Sequence, residues 1–148
     1  HVGLPDFILG NRRTARRDDE LVTSIRIGKA SASGRSAFVK LGARRYLVIS
    51  IAMAAARIVS APDGTVSRSA VAVGACSAVA QRLGLLEQSL LGRTAASAAD
   101  RVEDGHLASL APIDDVRGSA DYRRQAARTI ASRALAAATA DHLRGVAA

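Results

Sequence analysis

Hydrophobic and polar positions follow two different rhythms along this chain, a period of two in its first half and helical spacing in its second. ELVTSIRIG, residues 20–28, alternates Ile25 and Ile27 with Ser24 and Arg26, which predicts a half-buried strand. KASASGR, residues 29–35, is small, polar and glycine-containing, and reads as a flexible connection. A short strand is expected over 36–40, followed by a paired-arginine corner at Arg44 and Arg45. From Leu47 to Val59 the chain is almost unbroken in apolar residues, which predicts a long strand. Ala-Pro-Asp-Gly at 61–64 carries the chemistry of a tight turn, and a return strand then runs towards Cys76.

Beyond Cys76 the rhythm changes. Leu83, Leu86, Leu90 and Leu91 recur at helical spacing and Gly92 supplies a stop, so a helix is expected over 82–91. The alanine-rich stretch after residue 93 predicts another helix, ending near Gly105 with His106 after it. Pro112 opens the turn-forming PIDDVRGS, and a last helix is expected from Ala120 to Leu143. Its apolar stripe holds Tyr122, Ala126, Ile130 and Ala134, with Ala127, Ala131, Leu135 and Ala138 beside them and Arg123, Arg124, Arg128 and Arg133 elsewhere around it. Strands first and helices after predict an α+β fold, an antiparallel sheet of three to four strands followed by about three helices packed on it. Residues 1–19, punctuated by Pro5, Gly10 and a charge cluster, read as a lead-in, and 20–148 as the domain.

Composition sharpens this picture in a few places. At 148 residues with 49% hydrophobic content the chain can bury a core without disulfides or metal. A lone Cys76 at the end of an apolar strand reads as a buried thiol, consistent with a reducing, cytoplasmic setting. No apolar run approaches the about 20 residues of a membrane span, and no signal peptide is evident. The net charge of +8 comes from arginines scattered over every segment, with no Trp, two Tyr and two Phe for stacking, which argues against a nucleic-acid partner. Arg12, Arg13, Arg16 and Arg17 read as a solvated or ion-paired surface beside Asp18, Asp19 and Glu20. Because the chain begins with His1 and not Met, it reads as part of something longer.

Reactive chemistry is sparse in the sequence. His1, His106 and His142 share no helix face and have no cysteine pair beside them, so no metal site is expected. Asp114 and Asp115 suit either capping of the following helix or a salt bridge to Arg117. No nucleophile elbow is present, and no catalytic residue is assigned. Taken alone, Lys40 reads as an exposed strand lysine protecting a sheet edge, and Val22 as core packing.

Four stretches in order carry a family likeness: GNRRTARRDDELVTSIRI, SAFVKLGARRYLVISIAMAAARIV, VAVGACSAVAQRL and SLAPIDDVRGSADYRRQAARTIASRAL. Together, from about Asp6 to Leu135, they resemble the C-terminal domain of the FAD-binding (medium) subunit of molybdenum hydroxylases, the family of carbon monoxide dehydrogenase and xanthine dehydrogenase. The resemblance implies an oxidoreductase component that acts with a molybdopterin large subunit and an iron-sulfur small subunit. Its FAD collects electrons for an external acceptor. It also implies that Val22 and Lys40 are the cofactor-binding residues beside the isoalloxazine ring. Arg44 and Arg45 would either line the approach to the flavin or brace the sheet corner. Asp114, Asp115, Arg117, Tyr122 and Arg123 are expected to fix the turn before the last helix. The glycine-rich loops that hold the FAD pyrophosphate in the family lie in upstream subdomains, and this sequence contains neither. By itself the chain is therefore expected to be inactive and not to hold FAD tightly. The alternative is a non-catalytic subunit-docking domain that binds no cofactor.

Overall fold

The computed structural model describes residues 1–140, which divide into two compact units, His1–Ser33 and the residues from Gly34 onward. In the first unit a one-turn helix α1 (Leu4–Phe7) leads into a small antiparallel ribbon of β1 (Ile8–Gly10) and β2 (Arg13–Thr14). Arg17 pairs with Asp19 and Glu20 on the surface, so these charges form a solvated, ion-paired cluster. The strand expected over 20–28 does not form: these residues have no regular structure and Ile25 is 84% exposed. Alternation stabilises a strand only through a paired neighbour and a covered face, and no described strand pairs with this segment. The connection expected at 29–35 holds a one-turn helix, α2 (Lys29–Ala32).

The second unit is built on an antiparallel sheet in the order β3 (Arg35–Leu41), β4 (Ala52–Ser60), β5 (Val66–Gly74), β6 (Gln81–Arg82). The expected 36–40 strand is β3, slightly longer at both ends. The run from Leu47 enters the sheet only at Ala52, because 42–51 form a loop in which Leu47 takes a positive φ of 48°. Lys40 of β3 and Arg44 of the loop donate to the loop's Val48 and Leu47 carbonyls, which removes these carbonyls from any ladder. The 61–64 turn closes as expected: the Gly64 amide donates to Ala61 at 3.0 Å, and Asp63 accepts from the Thr65 amide and hydroxyl. Those Thr65 donors hold the Asp63 carboxyl below its ordinary range.

The core lies between the sheet and the helix α4 (Ala120–Thr139). Ala52, Ala54, Ala56 and Ile58 of β4 and Val71 and Val73 of β5 face Ala127, Ile130, Ala131, Ala134 and Leu135 of α4. Small side chains on both surfaces let the helix approach the sheet closely, so dispersion contacts are dense. Its expected stripe is buried apart from Tyr122, which is largely exposed, while Arg123, expected elsewhere, is buried. A step of one residue turns a helix by about 100°, and Arg123 shares the spacing of Ala127, Ile130 and Ala134. Ser119 caps the helix with its hydroxyl, and Asp114 accepts from the Ala120 amide at 2.7 Å. Leu143, the expected end, and His142 lie outside the described residues.

Helix α3 (Gly84–Leu90) is shorter than the expected 82–91, because Gln81 and Arg82 extend the sheet as β6. In place of one helix after residue 93 there are two 3-10 helices, Ala95–Arg101 and Asp104–Leu107, and His106 sits inside the second. Here α4 competes for the carbonyls: Ser132 donates to Ala99 and Arg128 to Val102, so they are satisfied without α-helical bonds.

Candidate functional site

Lys40 lies on β3, the edge strand, on the face turned away from α4. Ladder partners put Met53 opposite Lys40 and Ala55 opposite Phe38, with Gly74 and Ala72 next across on β5. Phe38 is 62% exposed, and Met53 lies over Gly74 so closely that a Cβ there would meet its terminal methyl at 2.5 Å. The result is an apolar shelf with small residues as its floor and the Lys40 ammonium at one corner, flanked on the same face by Arg57 and Arg82. Such a shelf suits a planar ring system that gains negative charge. It supports binding and charge stabilisation rather than bond breaking.

The Lys40 ammonium donates to the Val48 carbonyl at 2.8 Å. That carbonyl belongs to the 42–51 loop, which exposes Tyr46, Leu47 and Ile49. Arg44 donates to the Leu47 carbonyl at 2.7 Å, and Arg45 stacks over the Tyr46 ring at 5.3 Å. Arg44 therefore ties the loop to itself, while the contact of Arg45 is with its own neighbour. Gly42 packs where a Cβ would strike Val48, and at the loop's base the Ile51 amide donates to Leu41 at 2.8 Å. Val22 lies in the first unit, in the segment without regular structure, and is 57% exposed rather than packed in a core.

A second cluster anchors the loop from behind. Arg123 donates to the Ile51 carbonyl at 2.7 Å and the Ala75 carbonyl at 3.4 Å, and pairs with Asp115 at 2.6 Å. Asp115 also accepts from the Arg117 amide at 2.7 Å and pairs with its guanidinium at 2.8 Å. The Arg117 amide, helped by the Arg123 and Arg117 guanidinium groups, holds the Asp115 carboxyl down at about 2. Thus the two adjacent carboxylates divide the roles foreseen for them, Asp114 capping and Asp115 pairing. The buried reach of Arg123 was missed, although its heptad spacing from Ile130 was a usable signal. Cys76 is buried beside this cluster, with its thiol 3.8 Å from the Arg123 carbonyl and its pKa raised by burial. His106 is taken up locally, its Nδ1 accepting from the Glu103 amide. Among the described residues no three His, Cys, Asp or Glu side chains gather into a metal-binding group, and no helix is long and apolar enough to cross a membrane.

Comparison with known proteins gives this geometry a context. Residues 37–138, more than half of the chain, match the family described as CO dehydrogenase flavoprotein C-terminal domain. Carbon monoxide dehydrogenase from Hydrogenophaga pseudoflava, in a form lacking the Mo-pyranopterin moiety of its molybdenum cofactor, is 29% identical with a TM-score of 0.71. That match covers 92% of this chain and 47% of the other. Quinoline 2-oxidoreductase from Pseudomonas putida 86 is 26% identical with a TM-score of 0.75, covering 90% of this chain and 46% of that one. Reconstituted CO dehydrogenase from Oligotropha carboxidovorans, at 24% identity and a TM-score of 0.64 over 72% of this chain and 37% of that one, shares the fold. The chain spans less than half the length of each of these solved chains. The comparison with curated proteins finds no match. The shelf-bearing unit, with its antiparallel sheet and the helices packed on it, thus falls in a group whose solved relatives are oxidoreductases, and the chain belongs to the CO dehydrogenase flavoprotein C-terminal domain family.

Proposed function

We propose that this chain helps to cover FAD within a larger flavoprotein of the molybdenum hydroxylase type, and that Lys40 touches the edge of the isoalloxazine ring. The observation that carries this reading is the apolar shelf with the Lys40 ammonium at its corner. When bound, FAD supplies the electron uptake from iron-sulfur clusters and the delivery to an external acceptor. The chain's own contribution is a surface for the ring and a cation that favours the reduced, anionic form. Val22, in the first unit, is proposed on its own as an aliphatic flavin contact. The partners on this reading are a molybdopterin large subunit and an iron-sulfur small subunit, a reading supported by the Hydrogenophaga relative, a carbon monoxide dehydrogenase with a molybdenum cofactor.

The shelf has no cradle for a pyrophosphate, so ring-edge contacts alone do not offset the loss of freedom of a large cofactor. Titration of the purified chain with FAD, followed by flavin absorbance and fluorescence, is expected to show no saturable binding at micromolar concentrations. Saturation in that range overturns this expectation. In the longer flavoprotein, Lys40→Met is expected to slow reduction of the oxidised flavin by dithionite several-fold, because the reduced, anionic ring loses its counter-charge. An unchanged rate favours the docking-domain reading, in which the shelf receives a partner subunit and no cofactor.

A further inference from the structure

Three chain segments converge on one buried guanidinium. Arg123 is 3% exposed and donates to the carbonyl of Ile51, where the 42–51 loop enters β4, and to the carbonyl of Ala75, just past β5. Nη1 serves both carbonyls, Asp115 from the turn before α4 accepts from Nη2, and the buried Nε has no hydrogen-bond partner among the described residues. The Ile51 peptide is thus held on both sides: its carbonyl accepts from Arg123, and its amide donates to Leu41, the neighbour of Lys40. Three residues earlier in the same loop, the Val48 carbonyl accepts from the Lys40 ammonium.

We propose that Arg123, oriented by Asp115, is a positioning residue for Lys40: by fixing Ile51 it sets the loop whose Val48 carbonyl receives the Lys40 ammonium. The proposal rests on the reading of Lys40 as a flavin contact. A guanidinium suits this task because its planar fork donates to two carbonyls and a carboxylate at fixed angles. A lysine keeps the charge and loses the fork.

The experiment uses the full flavoprotein loaded with FAD, in Arg123→Lys, Asp115→Asn, Lys40→Met and the Arg123→Lys/Lys40→Met double variant. Amide deuterium exchange at Ile51 is expected to quicken at least tenfold in Arg123→Lys and Asp115→Asn. Ala54 and Ala56, inside the central strand, are expected to stay within twofold, which separates loosening of the loop from global destabilisation. Flavin reduction by dithionite is expected to slow in Arg123→Lys to within twofold of the Lys40→Met value, and the double variant is expected to be no slower than Lys40→Met. Should Arg123→Lys fail to fold, Asp115→Asn, which leaves the cation in place, carries both measurements. An unchanged rate of flavin reduction in Lys40→Met overturns the flavin reading of Lys40 and the positioning role with it. A slower reduction in Lys40→Met alone, with Ile51 exchange and flavin reduction unchanged in the other two single variants, overturns the positioning role only.

Discussion

Two stretches of this chain carry nearly the same pattern and meet different fates. Residues 20–28 and β3 (Arg35–Leu41) both alternate apolar and polar side chains. In β3 every residue has a ladder partner on β4, and Ala37, Val39 and Leu41 pack against the core under α4. In the 20–28 segment Leu21, Ile25 and Ile27 remain exposed and no described strand pairs with them. Alternation is therefore a statement about which residues share a face. Whether the face is covered depends on a partner elsewhere.

The contrast can be broken most strongly at the core that β3 leans on. Leu135→Ala removes a fully buried side chain between α4 and the sheet, and unfolding in urea is expected to show a loss of about 2–5 kcal/mol. A smaller effect is expected from acid. The Asp115 carboxyl is held at about 2 against an ordinary 3.8, so its contribution is complete above pH 3.8 and is lost as pH falls towards 2. Thermal unfolding followed across that interval is expected to show a falling midpoint, and Asp115→Asn is expected to lower the midpoint at neutral pH and flatten this part of the profile. The smallest effect belongs to the segment without a partner: Ile25→Ala is expected to change stability by no more than about 0.5 kcal/mol. A loss in Ile25→Ala comparable to that of Leu135→Ala means that the segment has a covered face after all.

Local chemistry was legible wherever it is self-contained. The Ala61–Gly64 turn needs only its own proline, aspartate and glycine, and it closes as its residues predict. The DDVRGS turn likewise carries its own caps and ion pairs within a few residues. Less was legible where a residue's role depends on distant groups. Leu47 sits in an apolar run yet is 93% exposed, because the loop around it is tied by Lys40 and Arg44 to its own carbonyls. The alanine-rich stretch after residue 93 has helix-forming composition, but Ser132 and Arg128 of α4 draw its carbonyls away from α-helical bonding.

By itself the sequence determined the α+β order of elements, the turns, the apolar stripe of α4 and the family likeness, because each rests on neighbours within a few positions. Only the tertiary structure decided that Arg123 is buried, that Ile51 is held on both sides, and that Lys40 stands on the Val48 carbonyl at the corner of an apolar shelf. The reason is physical. A cation enters a core only where carbonyls and a carboxylate from other segments replace its water, and a pattern along the chain does not say where those segments meet.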